Sequence, residues 1–365
     1  MKVALVYDRV NKWGGAERVL LALRQLYPDA PLYTSVYNPQ NASWAKQFEI
    51  KTSFLQGIWG ASTRNELLGT LMPIAFETFS FDEFDLVISI TSEAAKGIIT
   101  KPGTCHISYL LTPTRYLWSG YDVYFRNRIF RTLSYPFVSY LRNWDVVASK
   151  RPDYFFAISK EVQNRIKKYY KRQSEVIYPP VFSKEDKKNV AGKKYFLLVS
   201  RLSKATFYKR VDMVIEAFNQ NKLPLKVVGT GSSLNFFKKR ARSNIEFLGE
   251  VSDDALSELY EGAYSLIFPS NEDFGLVVVE AMSHGTPVIA FKGGGALETV
   301  TPGITGEFFD RQDSNSLNHL LKSFDWTRYN VRTIKTSAQR FSLQTFKKEF
   351  ANLVNQKMSE YQKNL

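Results

Sequence analysis

Short apolar runs alternate along the chain with longer stretches whose apolar residues recur every three or four positions. The longer stretches predict helices, such as one from Ala16 to about Leu26. Strands that alternate with helices favour an α/β fold, with parallel sheets covered on both faces. The short runs predict strands at Lys2 to Tyr7, Leu32 to Val36, Leu86 to Ile90, His106 to Leu110, Tyr154 to Ile158, Tyr195 to Val199, Leu225 to Val228, Ile245 to Gly249, Ser265 to Phe268 and Val288 to Ala290.

A polar segment divides this alternation into two sets. After Pro180 the chain soon enters residues 183–194, which are rich in lysine and poor in apolar side chains. Such a composition is typical of a linker between domains. We therefore expect one domain over residues 1–182 and a second over residues 183–342.

The C-terminal residues 343–365 predict one further helix, which reaches about Gln362. Its apolar side chains recur at helical spacing, so one face needs a surface to cover it. That face carries Leu343, Phe346, Phe350, Leu353 and Val354.

The stretch from Pro269 to Pro287 joins a predicted strand to a predicted helix. The helical run begins near Gly275, and its first N–H groups lack helical partners while the peptide dipoles add positive potential there. A phosphate binds readily at such an end. The candidate residues for this phosphate and its nucleotide are Asp273, Phe274, Gly275, Leu276 and Val277.

Two carboxylates accompany this junction. Side chains tilt toward the N-terminus of a helix, so Glu280 is directed toward the same end and can accept hydrogen bonds from both hydroxyls of a ribose. Glu272 precedes the helix and can reach hydroxyl groups on whatever the phosphates carry. Together these features suit a nucleotide better than a bare phosphate.

The same string resembles the donor-site motif of glycosyltransferase family 4, which comprises retaining nucleotide-sugar enzymes. Within that family it looks closest to the mannosyltransferase-like enzymes of bacterial O-antigen, capsule and exopolysaccharide assembly. The resemblance implies the GT-B fold, in which two Rossmann-like domains face each other across a cleft and the C-terminal helix returns to the N-terminal domain. It also implies that Glu272 contacts the transferred sugar and that Glu280 contacts the ribose.

Further segments match the family in order and context. Arg201 and Lys209 follow a strand and resemble the family's cationic clamp on the diphosphate. The glycines of G-G-A-E-R resemble an N-terminal loop that faces the acceptor and the phosphates. The remaining glycines allow close approach of backbone to the nucleotide and donor sugar, although a purely structural role is equally open for the G-T-G turn. The glycines concerned are Gly14, Gly15, Gly229, Gly231 and Gly294.

The first domain has its own candidates for contact with the acceptor. In parallel sheets, ligands gather where strands end, which selects Asp8, Ser92, Leu111 and Arg115. Tyr109 to Trp118 resembles a Y-x-H-T-P-x-R-Y-x-W segment, but Leu111 occupies the histidine position. This departure leaves three explanations open: an altered donor, lower activity or a substituted site. An apolar Leu111 would suit a 6-deoxy sugar, whose C6 is a methyl group.

The net charge of +14 predicts an acidic partner, which can be a nucleic acid, an anionic lipid or a phosphorylated substrate. No nucleic-acid-binding motif accompanies the charge, so we expect no nucleic acid. Between Tyr121 and Arg151, arginines and aromatic residues recur at helical spacing, as at an anionic membrane surface or on a solvated basic face. Cys105 is the single cysteine, and no apolar run is long enough to span a membrane, which predicts a cytoplasmic protein, peripheral on the inner membrane at most.

These observations together predict a glycosyltransferase that uses a nucleotide diphosphate sugar and a glycan or lipid-linked acceptor. Glu272, Arg201 and Lys209 are the candidate catalytic residues. No D-x-D sequence occurs, so we expect neither a metal nor another cofactor. The alternatives are a sugar-nucleotide epimerase or hydrolase on the same fold, and a catalytically impaired sugar-nucleotide-binding protein.

Overall fold

The computed structural model describes residues 1–60, 68–182, 192–203 and 208–365. The chain divides into two compact units. Unit 1 comprises Met1–Pro180 and Leu343–Leu365, and unit 2 comprises Val181–Ser342. The division lies two residues before the expected boundary, and most of the predicted linker lies outside the described residues.

Unit 1 is built on a parallel sheet. Its described strands are β1 (Val3–Tyr7), β2 (Leu32–Thr34), β3 (Ile50–Thr52), β4 (Leu86–Thr91), β5 (Cys105–Leu110), β6 (Tyr154–Ala157) and β7 (Glu175–Val176). They lie in the order β3-β2-β1-β4-β5-β6-β7. The central strands β1, β4 and β5 are buried along their whole length, as the valine and isoleucine content of β1 and β4 predicts. The helices before the crossing into unit 2 are α1 (Gly15–Leu26), α2 (Met72–Glu77), α3 (Tyr121–Tyr124), α4 (Arg128–Ala148) and α5 (Lys160–Tyr170).

Unit 2 contains a second parallel sheet with its own core. Its described strands are β8 (Tyr195–Val199), β9 (Leu225–Val228), β10 (Ile245–Gly249), β11 (Ala263–Phe268), β12 (Val288–Phe291) and β13 (Gly306–Phe309), in the order β10-β9-β8-β11-β12-β13. Its helices are α6 (Val211–Asn221), α7 (Leu234–Lys238), α8 (Asp253–Glu261), α9 (Leu276–Ser283), α10 (Ala296–Thr299), α11 (Ser314–Ser323) and α12 (Val331–Ala338).

The last helix, α13 (Leu343–Lys363), packs on unit 1. Its apolar stripe is buried through Phe346, Phe350 and Val354. The Phe350 ring lies 5.9 Å from the ring of Tyr109 on β5 and 5.7 Å from that of Phe156 on β6. The predicted return of this helix to the N-terminal part of the chain is therefore confirmed.

In each sheet, the direction in which successive strands are added reverses once. In unit 1 the chain runs from β1 outward to β3 and then returns to β4 on the other side of β1. In unit 2 it runs from β8 outward to β10 and then returns to β11 on the other side of β8. Ligands of open α/β sheets bind outside the carboxyl ends of the strands at such a reversal. We therefore expect a ligand near the loops after β1 and β4, or near those after β8 and β11.

Candidate active site

The loop after β11 leads into helix α9 through a fixed backbone. The helix begins at Leu276, and Gly275 is its N-cap residue, with a φ of 85°. A Cβ at Gly275 would lie 2.8 Å from Cζ of Phe268, so both conformation and space require glycine. Phe274 is buried, and its ring lies 5.5 Å from that of Phe341. The positive end of the α9 dipole is therefore held in one place directly after the Glu272 loop.

Lys209 and Glu272 meet at the reversal point of unit 2. Lys209 follows β8, Glu272 follows β11, and the Lys209 ammonium donates a hydrogen bond to Oε1 of Glu272. The two side chains are only 14% and 17% exposed. The Ser270 hydroxyl also donates to the backbone oxygen of Lys209, at 3.4 Å. A cation held in this way can stabilise a negative charge close to it.

Glu280 lies on α9 and is 9% exposed. Its Oε2 accepts a hydrogen bond from the Tyr260 hydroxyl at 3.0 Å, which fixes the orientation of the carboxylate. The Tyr260 ring stacks on that of His284, with centroids 5.6 Å apart. Burial lowers the pKa of His284, although Glu261 opposes this shift from 3.6 Å away. The sequence pattern did not predict Tyr260, because α8 and α9 come together only in the folded unit.

The glycine loop after β12 packs directly on the Glu272 loop. Gly294 has a φ of 58°, and a Cβ there would lie 2.3 Å from the backbone oxygen of Glu272. The Gly295 amide donates a hydrogen bond to that same oxygen at 2.9 Å. Gly294 is therefore required for packing that positions Glu272.

The loop after β9 packs in a similar way on the segment that carries Arg201. A Cβ at Gly229 would lie 2.0 Å from the Ser200 oxygen, and one at Gly231 would lie 2.3 Å from the Leu202 oxygen. Both glycines have positive φ angles. They hold the exposed Arg201 just after the carboxyl end of β8.

Asp8 occupies the reversal point of unit 1. Its carboxylate accepts hydrogen bonds from the Thr91 hydroxyl at 2.8 Å and from the Ser92 amide at 2.7 Å. The amides of Glu93, Ala94 and Ala95 also donate to it, at 3.1, 2.9 and 2.9 Å. Five donors to one buried carboxylate fix the loop after β4 to the end of β1. Asp8 and Ser92 therefore act together as a loop anchor.

An ion pair lies directly beside this anchor. Arg9 donates to Oε2 of Glu93, and the two side chains are 16% and 20% exposed. Burial raises the pKa of Glu93 above its usual range, while the charge of Arg9 opposes that shift. Neither residue was predicted, although both adjoin predicted positions.

The G-G-A-E-R segment begins helix α1. Gly14 is the N-cap residue with an extended φ of 176°, and Gly15 is the first helical residue. Glu17 is buried and accepts a hydrogen bond from the Tyr7 hydroxyl at 2.6 Å. Burial raises the pKa of Tyr7, and the Glu17 charge adds to the shift. This contact fixes the start of α1 against β1.

Leu111 is half-buried directly after β5, and its amide donates to the Thr91 oxygen at 2.8 Å. The residues that follow it, including Arg115, are held by a buried carboxylate on α4. Asp145 accepts hydrogen bonds from the Thr114 hydroxyl at 3.1 Å and from the Trp118 indole at 2.7 Å. His106 does not substitute for the absent histidine, because it is fully buried in β5, with Nε2 2.9 Å from the Ser89 hydroxyl.

Residues 182–325 match the family model described as "Glycosyl transferases group 1". The matched residues lie within unit 2. It is 29% identical over 200 residues to an uncharacterized glycosyltransferase of Methanocaldococcus jannaschii, across 53% of this chain and 56% of that protein. A second relative from the same organism is matched over 44% of its length, so the chain spans about half of these curated relatives.

Solved structures resemble the chain over nearly its whole length. Anabaena HepE in complex with UDP superposes with a TM-score of 0.69 at 20% identity, covering 98% of this chain and 100% of that one. WaaG, a glycosyltransferase involved in lipopolysaccharide biosynthesis, superposes with a TM-score of 0.68 at 16% identity, covering 96% and 99%. The chain has the GT-B fold.

The residues that match the family model include Lys209, Glu272, Glu280 and Gly294. The structure brings Lys209, Glu272 and the Gly294 loop into contact. Within the described parts of the chain, no group of three His, Cys, Asp or Glu side chains is arranged to hold a metal ion. Two of the residues that sequence analysis missed, Tyr260 and Asp145, act by fixing a predicted residue or segment.

Proposed function

We propose that the chain is a retaining glycosyltransferase that moves a hexose from a nucleotide diphosphate sugar to a glycan or lipid-linked acceptor during cell-surface polysaccharide synthesis. The contact between Lys209 and Glu272 at the reversal point of unit 2 carries this proposal. A cation, a carboxylate and the positive end of α9 are grouped there, which suits a diphosphate attached to a hydroxylated ring.

Each group has a distinct part in the proposed reaction. The diphosphate leaves the anomeric carbon while Lys209, Arg201 and the first amides of α9 stabilise its negative charge. Glu272 accepts hydrogen bonds from the sugar hydroxyls, and Glu280 accepts them from the ribose. The acceptor hydroxyl attacks on the face from which the diphosphate leaves, and the diphosphate oxygen takes its proton. No protein nucleophile and no metal ion take part.

A GDP-mannose-like donor is our first choice, because the segments around Leu111 and Glu272 are similar to those of mannosyltransferase-like enzymes. A 6-deoxyhexose donor is the alternative, since Leu111 offers an apolar contact where a hydroxyl-binding histidine is expected. HepE binds UDP, which adds uridine sugars to the donors to be tested. The involvement of WaaG in lipopolysaccharide biosynthesis supports a lipid-linked or glycan acceptor and a peripheral site on the cytoplasmic face of the inner membrane.

Turnover of a panel of donors by the unmodified chain and by Lys209→Met tests the proposal. The panel contains GDP-mannose, UDP-glucose, and nucleotide-activated rhamnose and fucose, each with and without a lipid-linked glycan. We expect transfer that requires an acceptor, and a loss of kcat/KM in the variant of about 10²- to 10³-fold, because a charge that stabilises the departing diphosphate is removed.

Lys226→Met is the matched control. Lys226 is the second residue of β9 in the same unit and also pairs with a glutamate, Glu246 on the neighbouring strand β10, at 3.7 Å. Its removal should leave turnover unchanged. Release of free nucleotide at one rate with or without any acceptor would favour a hydrolase, and an unaffected Lys209→Met enzyme would exclude the proposed site. A preference for mannose over both 6-deoxy sugars would exclude the role suggested for Leu111.

A further inference from the structure

Helix α4 leaves large apolar side chains uncovered. Ile129 is 73% exposed, Leu133 69% and Phe137 60%. Phe130, Tyr135 and Tyr140 are 55%, 61% and 47% exposed. Exposed apolar side chains this numerous on one helix mark a surface that has a binding partner.

The exposed and buried positions form two separate stripes on α4. At 100° per residue, Ile129, Leu133, Pro136, Phe137 and Tyr140 fall within an arc of about 100°. This arc contains no charged residue. The buried positions Val138, Leu141, Asp145 and Ala148 lie on a neighbouring arc and pack into unit 1. The outer stripe is thus not part of the core, although it is as apolar as a core-facing stripe.

The charged residues of α4 point to the chemistry of the partner. Arg128, Arg131 and Arg142 cluster on a third arc of the helix, and Arg126 is exposed just before its start. Around the C-terminal end of α5, an open basic concavity of about 420 Å³ is lined by Asn164, Lys167, Lys168, Lys171, Arg172 and Gln173. The centre of the arginine arc lies about 160° around the helix from the centre of the apolar stripe. An apolar face opposite a basic face is typical of a helix at the boundary between anionic headgroups and acyl chains.

We propose that α4 lies in the plane of an anionic membrane surface, with Ile129, Leu133 and Phe137 inserted among the acyl chains and the exposed arginines at its N-terminal end, Arg126, Arg128 and Arg131, at the headgroups. None of the described helices is long and apolar enough to cross a bilayer, so the contact is interfacial. The stripe from Ile129 to Tyr140 extends over roughly 16 Å, enough for three helical turns parallel to the surface.

The inward face of the same helix connects this surface to the candidate acceptor region. Asp145 on α4 accepts the hydrogen bonds that hold Thr114 and Trp118, and Arg142 donates to the Leu117 oxygen at 2.7 Å. The segment after Leu111 is thereby attached to the helix that contacts lipid. This link to a lipid-linked acceptor rests on the proposed function, whereas the membrane contact itself does not.

Co-sedimentation of the full chain with vesicles tests the membrane contact without any donor or acceptor. We expect binding to vesicles of phosphatidylcholine mixed with phosphatidylglycerol, and weaker binding to phosphatidylcholine alone or at high salt. Ile129→Ser, Leu133→Ser and Phe137→Ser together should lower the partition coefficient at least about tenfold, because three inserted side chains are lost. Arg128→Gln with Arg131→Gln should lower it about fivefold or more on anionic vesicles only.

The control replaces Ile99, Phe236 and Ile304 by serine, since these side chains are similarly apolar and are 52%, 48% and 46% exposed elsewhere. It should bind as the unmodified chain does. Equal losses in both triple variants, or no binding by the unmodified chain, would overturn the proposal. So would a dimer in sedimentation equilibrium that the α4 variant dissociates while vesicle binding is absent. A membrane-binding chain without transferase activity would instead contradict only the proposed function.

Discussion

At the scale of single residues, partners decide what a side chain can do. Asp8, Glu17 and Glu272 are all acidic residues near strand ends, yet each has a different role. Asp8 is saturated by five donors of the loop after β4, and Glu17 is bound to Tyr7. Glu272 contacts the Lys209 ammonium at the carboxyl edge of the sheet. Of the three, Glu272 is the carboxylate grouped with an amine and a helix N-terminus.

His106 makes unit 1 sensitive to acid. It is fully buried, and burial, with a smaller contribution from the charges of Arg151 and Arg172, lowers its pKa from 6.5 to about 3. Between these values the unfolded chain binds one more proton than the folded chain, so stability falls as the pH falls through this window. At about pH 5 the expected loss in the free energy of unfolding is about 2 kcal/mol.

Thermal unfolding of the unmodified chain and of His106→Asn, each at neutral pH and at about pH 5, measures this effect. The unmodified chain should lose more stability on acidification than the variant. The other titrating groups, Glu93 among them, are common to both proteins and cancel in the comparison. Equal acid sensitivity would contradict a neutral, buried His106.

At the scale of elements, a buried ion pair joins α4 to the loops of unit 1. The Lys96 ammonium lies 2.5 Å from Oδ1 of Asp145, and neither side chain is exposed by more than 1%. Thr114, Trp118 and Tyr170 complete the set of donors to Asp145. The loop after β4, the segment after β5 and helix α5 are thus all fastened to α4.

Lys96→Met should lower the free energy of unfolding by about 3–5 kcal/mol, because it leaves the Asp145 charge buried without its counter-ion. Thermal unfolding measures the loss. Adding Asp145→Leu to Lys96→Met should recover part of it, since the uncompensated charge is then gone. A single variant as stable as the unmodified chain would mean that Asp145 is satisfied by its hydrogen bonds alone.

At the scale of the whole molecule, the two units repeat one plan with different contents. In both units the strand order of a parallel sheet reverses once, and the loops at that point contain polar residues. In unit 1, Asp8 binds the loop after β4 at the point where the strand order reverses. In unit 2, Lys209 and Glu272 contact each other at the corresponding point. We therefore assign nucleotide binding to unit 2 in the proposed function.

Thermal stabilisation by nucleoside diphosphates checks that assignment. A ligand at one hundred times its dissociation constant adds about 2.7 kcal/mol to the native state, which corresponds to a shift in Tm of several degrees. GDP or UDP should raise the Tm of the full chain and of Lys226→Met, and should do so far less for Lys209→Met. An equal shift in both variants would remove Lys209 from the nucleotide site.

Most of the strands could be predicted because their apolar runs are continuous, but the edge strands β3, β7 and β13 could not. β3 and β7 contain Lys51 and Glu175 and are only three and two residues long, so neither has an apolar signal. β2 ends at Thr34 instead of Val36. Beyond Thr34 the pairing with β3 stops, and the Val36 oxygen accepts a hydrogen bond from the Val10 amide instead. Helix α9 could be located to within one residue, because Gly275 marks its N-cap.

The order of residues determined the alternating elements, the helix start at Gly275 and the chemical types of the candidate donor site, because these depend on periodicity and on local backbone preference. Tertiary structure alone decided that Lys209 meets Glu272, that Tyr260 orients Glu280 and that Asp145 holds the segment after Leu111. The reason is physical: these pairs are 63, 20 and 27 or more residues apart along the chain, and only the packing of parallel strands and their helices brings them within hydrogen-bonding distance.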